Sequence, residues 1–173
     1  MISRISYLAF VLALVTAGCG KDSPAAPTPP AAPRFSATLL PANEVPPITN
    51  AEASGNGTAT ITLNTTKDAA GNVTAATADF SVSLTGFPAN TTITGAHIHP
   101  GVTGQNGSVV VSLGLVSGEI VLANGTATFS KPGITVDPAL AQTIISNPAG
   151  YYFNVHSTTN GGGFARGQLV RTN

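Results

Sequence analysis

Two histidines one residue apart, His97 and His99, stand in Gly95-Ala96-His97-Ile98-His99-Pro100-Gly101, and a third, His156, ends Tyr151-Tyr152-Phe153-Asn154-Val155-His156. The 173-residue chain has no others. Three imidazoles without a thiolate suit copper or zinc among the common metals. A site with three protein ligands also keeps one position open for water or substrate. That chemistry is available only if the chain brings the three rings together.

The segment before the first pair, Thr91-Thr92-Ile93-Thr94, is β-branched and reads as a strand running into the motif. Residues two apart on a strand share a face, and at about 3.3 Å per residue the two Cα atoms lie roughly 6.6 Å apart. His97 and His99 therefore project together while Ala96 and Ile98 face the other way. In the later segment Tyr151, Phe153 and Val155 mark one face, and Tyr152, Asn154 and His156 the other. All three histidines lie opposite the apolar side of their strands. A metal site requires those strands to be neighbours, with ring nitrogens able to reach about 2.0–2.1 Å from one ion. A backbone carbonyl or similar acceptor should then fix each tautomer. Metal should stabilise the fold, and acid should release it near the ordinary histidine pKa of about 6.5. The competing reading is a structural cluster in which the rings hydrogen-bond to neighbouring loops.

The rest of the chain reads as short strands separated by turns. Phe35–Leu40, Gly57–Leu63, Val73–Leu84, Ser108–Leu113, Gly118–Leu122 and Thr126–Ser130 are strand segments, and Phe164–Val170 closes the set. Asp68–Asn72 and Asn124-Gly125 are turns, and Gly101–Gly107 is a glycine-rich loop with no following lysine or helix to make it a phosphate cradle. One helix is expected from Pro138 to about Ser146, capped by Asp137 and ended by Asn147-Pro148. The pattern predicts an all-β fold, an antiparallel Greek-key β-sandwich or barrel with one short helix, from about Arg34 to Val170. Phe80, Val82, Leu84, Ile98, Val109, Val111, Phe153, Val155 and Leu169 are its candidate core. Glu44, in Asn43-Glu44-Val45-Pro46-Pro47, reads as a turn residue satisfying backbone amides. The Asn-x-Thr sequons at Asn56, Asn90 and Asn124 read as turn residues.

The first residues stand apart from this pattern. Arg4, the apolar run Tyr7–Val15 and the small residues Thr16-Ala17-Gly18 form a signal peptide over residues 1–18, since the run is shorter than the about 20 residues that span a bilayer. The single cysteine, Cys19, follows directly, as in a bacterial lipobox, although Thr16 replaces the usual aliphatic residue. A plain signal peptide with a stray cysteine is the alternative. Gly20 rather than Asp follows Cys19, which favours the outer membrane or cell surface over the inner membrane. Residues 19–33 form a Pro/Ala-rich tether too poor in apolar surface to fold. Beyond the signal, six Lys/Arg face seven Asp/Glu, and no basic patch points to nucleic acid. With no second cysteine the fold has no disulfide and rests on its core.

Four ordered motifs carry a family resemblance: Ala42-Asn43-Glu44-Val45-Pro46-Pro47, Gly95-Ala96-His97-Ile98-His99, Asn154-Val155-His156 and Arg166-Gly167-Gln168-Leu169. Together they resemble the CHRD domain, here assigned to residues 34–173. That resemblance implies a binding or structural module and an extracellular or periplasmic protein partner. A second resemblance is to the copper site of Cu/Zn superoxide dismutase. It implies that His97, His99 and His156 are ligands for copper or zinc and that Arg166 guides an anion to the metal. The bridging histidine, the zinc-ligand cluster and the disulfide cysteines of that family are missing. A structural clamp is the other reading of Arg166. No Gly-x-Ser-x-Gly elbow, Walker loop, His-Glu-x-x-His helix or carboxylate pair signals another enzyme class.

The sequence thus reads as a lipid-anchored envelope module, with a metal-binding, superoxide-dismutase-like protein as the rival. Anchoring is tested at Cys19. The Cys19→Ser variant is expected to lose acylation and to be either unprocessed or released from membranes. A variant with the wild-type mature mass and detergent partitioning would exclude Cys19 as the anchor.

Overall fold

The computed structural model describes residues 30–173. The expected signal peptide over residues 1–18, Cys19 and the expected tether up to residue 29 lie outside the described residues. The strands are β1 (Arg34–Leu39), β2 (Asn56–Lys67), β3 (Val73–Thr85), β4 (Thr91–Pro100), β5 (Val111–Ser112), β6 (Val121–Leu122), β7 (Ala127–Val136), β8 (Tyr151–Ser157), β9 (Ala165–Gln168) and β10 (Val170–Arg171). One sheet runs β10-β1-β2-β3-β7 and the other β5-β4-β8-β9, with β6 paired to β4. All the pairs are antiparallel. The sheets do not close into a barrel, so the fold is a sandwich.

Period-two patterning builds the first sheet. Gly57, Ala59, Ile61 and Leu63 of β2 turn inward while Asn56, Thr58 and Thr60 remain outside. On β3, Ala76, Ala78, Phe80, Val82 and Leu84 do the same. The β2–β3 hairpin turns at Asp68, whose carboxylate accepts from the amides of Ala70 (2.9 Å) and Asn72 (2.8 Å). Opposite this face the second sheet presents Ala96, Ile98, Phe153, Val155 and Ala165. The two layers meet where Phe80 stacks on Phe153, with ring centroids 5.8 Å apart. Helix α1 (Pro138–Ser146) begins at Asp137, whose side chain accepts from Leu140 N at 2.9 Å, and buries Ala141 and Ile144.

Three expectations change. Val109 is 49 % exposed and leaves the core, because only Val111–Ser112 of the segment pairs with β4. Expected strand Gly118–Leu122 shortens to β6, whereas the strand expected at Thr126–Ser130 extends to Val136. The expected closing strand divides at the buried Leu169. Its first half, β9, pairs with β8, and its second, β10, crosses to β1 in the other sheet. Pairing of β1 with β10 and of β3 with β7 joins strands far apart in the chain, as Greek-key connectivity requires.

Clean alternation fails in the second sheet. On β8, the residues facing away from the core, Tyr152 and Asn154, are buried as fully as Phe153 and Val155. Something covers the outer face of this sheet: the loops 101–107 and 158–164 and the connection between β1 and β2. A polar layer is therefore held beneath loops on the side carrying the histidines.

Phe153 is fully buried at the centre of the sandwich. Phe153→Ala is expected to cost about 3–5 kcal/mol in chemical denaturation. A loss below about 1 kcal/mol would remove this ring from the packing that joins the sheets.

Candidate metal centre

The antiparallel register of β4 and β8 sets Gly95 opposite His156, His97 opposite Asn154 and His99 opposite Tyr152. Side chains directly or diagonally opposed on one face are within reach of each other. His97, His99 and His156 consequently converge, each offering a nitrogen within 4.8 Å of the others. Nitrogens 2.0–2.1 Å from a tetrahedral ion lie roughly 3.3 Å apart. Gly95 makes room for the cluster, since a Cβ there would stand 2.9 Å from His97 Cε1.

Hydrogen bonds fix two of the three tautomers. His99 Nδ1 lies 2.9 Å from the carbonyl oxygen of Gly107, and His156 Nδ1 lies 2.9 Å from that of Gly161. A carbonyl oxygen only accepts, so both Nδ1 atoms carry the proton and donate. In each neutral ring the lone pair then sits on Nε2. His156 Nε2 faces His97 Nδ1 at 2.9 Å. His99 Nε2 has no partner, although the residue is only 6 % exposed. A buried polar atom without a partner costs about 1–3 kcal/mol.

The loops supplying the carbonyls are themselves held. Tyr152 stacks parallel to His99, with centroids 4.9 Å apart and planes 5° from parallel, and its hydroxyl accepts from Gly107 N at 3.2 Å. Arg166 places its guanidinium carbon 3.6 Å from the centre of the Tyr152 ring. It also donates to Asn106 Oδ1 and to Gln105 O, both at 2.9 Å. Strand β8 runs between β4 and β9, so Tyr152 stands between His99 and Arg166. On the other side, Glu52 Oε2 accepts from Ser157 Oγ at 2.9 Å and from the Asn160 side chain, anchoring the loop that presents Gly161.

Arg166 is 1 % exposed and donates from Nη1 and Nη2 to the loop, a geometry that matches the clamp reading. An anion guide would need an accessible cation. Glu44 also differs from expectation. Its side chain takes no backbone amide but is buried beside Asn154, 6 % exposed, with Oε1 unpartnered. Sequence reasoning did not assign roles to Tyr152, Asn154, Glu52 or the two glycine carbonyls. The signal for Tyr152 and Asn154 was their shared face with His156. Nothing in the residue types marked which carbonyls would cap the rings.

Burial alters the titration of these groups. Desolvation, aided by His156 and His99, pushes His97 down to about 4, and His156 is lowered mainly by burial. His97, and in the same direction His156, therefore keeps its neutral, ligand-competent form at lower pH than the 6.5 expected from the sequence. Glu44 moves the other way: desolvation raises it to about 7, against the opposing pull of Arg166 and Asn154.

These shifts predict opposing pH effects. With His97 depressed from 6.5 to about 4, the unfolded state binds more protons in that window, so its contribution to stability falls on acidification. With Glu44 raised from 4.5 to about 7, the folded state binds more protons, so its contribution falls as pH rises. Glu44→Gln is expected to remove the second effect, and its Tm should drop more steeply than wild type from pH 6.5 to 4.5. An equal or shallower drop would show that Glu44 titrates normally.

The CHRD domain family model matches residues 35–169, spanning the four sequence motifs and both sheets. Neither a curated protein nor a solved structure matches the chain. The matched span includes the three histidines, Glu44 and Arg166, and on this evidence the chain belongs to the CHRD domain family.

Proposed function

We propose that this CHRD protein is a lipid-anchored binding module of the cell envelope whose three imidazoles hold a copper or zinc ion. The observation carrying the metal reading is His99 Nε2, a buried nitrogen bearing a lone pair and no donor. In a purely structural cluster each buried ring nitrogen would find a partner. Here the carbonyls of Gly107 and Gly161 take the Nδ1 protons and turn both Nε2 atoms toward the cluster. Ligating histidines are held in this way in metal sites. His97 Nδ1, His99 Nε2 and His156 Nε2 would hold the ion, which would supply Lewis acidity or, as copper, electron transfer.

Anchoring rests on the signal ending at Cys19 and on the tether that follows it. Among the described residues no helix is long and apolar enough to cross a membrane. The partner is an extracellular or periplasmic protein, as the family implies. The second reading, superoxide-dismutase-like turnover, is supported by the His-x-His pair and the late histidine. It loses the support of Arg166, whose guanidinium is buried under the loop.

Metal-free protein titrated with zinc and, separately, with copper should bind one equivalent. At a hundredfold excess over Kd the folded state gains about 2.7 kcal/mol, a Tm rise on the order of 5–10 °C for a domain of this size. His99→Ala should abolish the rise. Unchanged Tm and no bound ion in the wild type would make the histidines a structural cluster.

A further inference from the structure

We propose that Asn154 is the fourth ligand of this ion, through its side-chain oxygen. The inference rests on the metal reading above. Asn154 lies opposite His97 in the β4–β8 register, is 2 % exposed, and places Oδ1 3.0 Å from His156 Nε2. The His156 Nδ1 proton is already donated to Gly161 O, so Nε2 of the neutral ring is an acceptor. Asn154 Oδ1 is an acceptor as well. Two acceptors in contact repel unless a proton or a cation lies between them. A proton on His97 Nδ1, 2.9 Å from His156 Nε2, can satisfy only one of the two. An ion bound by His97, His156 and Asn154 satisfies every lone pair at once, with His99 Nε2 completing the set.

The amide is held in the orientation this requires. Its other end lies toward Glu44, so the NH₂ group is on the carboxyl side and Oδ1 on the imidazole side. Gly163, at φ +124°, closes on this contact; a Cβ there would lie 2.5 Å from Asn154 Nδ2 and 2.7 Å from Glu44 Oε1. Only glycine lets the loop press the amide into place. Three imidazoles and one amide oxygen make an N₃O set with no soft ligand. It favours divalent zinc or copper over cuprous ion, which prefers sulfur.

The test uses metal-free full-length protein titrated with Zn²⁺ against a chromogenic chelator, and Cu²⁺ electron paramagnetic resonance. The wild type, Asn154→Ala, Asn154→Asp and His99→Ala are compared. Asn154→Ala should bind Zn²⁺ at least about tenfold more weakly, while wild-type affinity within about twofold would overturn the inference. Its Cu²⁺ spectrum should change while keeping imidazole nitrogen couplings. Should Asn154→Ala fail to fold, Asn154→Asp decides. A carboxylate ligand should shift the Cu²⁺ spectrum, and an unshifted spectrum overturns the inference. If wild type binds an ion, His99→Ala does not, and the Asn154 variants match wild type, Asn154 is no ligand and the three-histidine site stands. If wild type binds no ion, both readings fall together.

Discussion

The pairing of β4 with β8 is the constraint on which the rest of this molecule depends. It is a short stretch of antiparallel ladder, yet it fixes both faces of the second sheet at once. Inward, it aligns Ala96 and Ile98 with Val155 and Phe153, which pack on Phe80 across the sandwich. Outward, it aligns the three histidines with Tyr152 and Asn154. A slip of one residue in either strand would turn the histidines into the core and the aliphatics outward. Burial of apolar area therefore protects the register, and the register protects the geometry of the cluster. The irregularity between Ile93 and Gly95 ends the strict ladder next to His156, where the glycine admits the His97 ring.

A second layer of order lies on top of that face. In an exposed sheet of this composition, rings at positions 97, 99 and 156 would be hydrated and free to rotate. Here the loops remove water and replace it with fixed carbonyls. The loop carrying Gln105, Asn106 and Gly107 is gripped by Arg166, Tyr152 and His99 together. Asn106 also donates to Val45 O at 2.8 Å, joining this loop to the segment that carries Glu44. Losing Arg166 would thus loosen the carbonyl that sets the His99 tautomer, without touching any histidine. The cation–π contact and two charge-assisted hydrogen bonds compensate for burying its guanidinium.

Much of this was legible in the sequence because it follows from local chemistry. Strand parity gave the inward and outward faces of β4 and β8, and Asp137-Pro138 gave the start of α1 at the residue observed. Asp68–Asn72 announced its turn through the asparagine and glycine it contains. The failures have a common cause. Val109 and the split at Leu169 depend on which strands become neighbours, and alternation carries no information about that. Between the two readings of Arg166, anion guide and structural clamp, the sequence could not choose for the same reason: its burial is set by a loop some sixty positions earlier in the chain. The histidines were found by type and spacing. Their tautomers could not be, because Gly107 and Gly161 act through backbone oxygens that every residue has.

Three features of the histidine face break the rules that govern the rest of the fold: an unpartnered imidazole nitrogen, an unpartnered carboxyl oxygen and two acceptors in contact. Each lies within the same covered layer, and the core offers no reason for any of them. The chain has a single cysteine and so no internal disulfide to offset such costs, which draw on the stability of the apolar core. Local rules are broken in this way where a fold is built to receive something. A single cation at the centre of the rings would answer two of the three faults. The third, Glu44, sits one residue farther out, where a negative charge beside the Asn154 amide would strengthen its oxygen as a donor. Bringing a cation into the cluster would favour the ionised form of Glu44, so that the acid and the ion stabilise one another across Asn154.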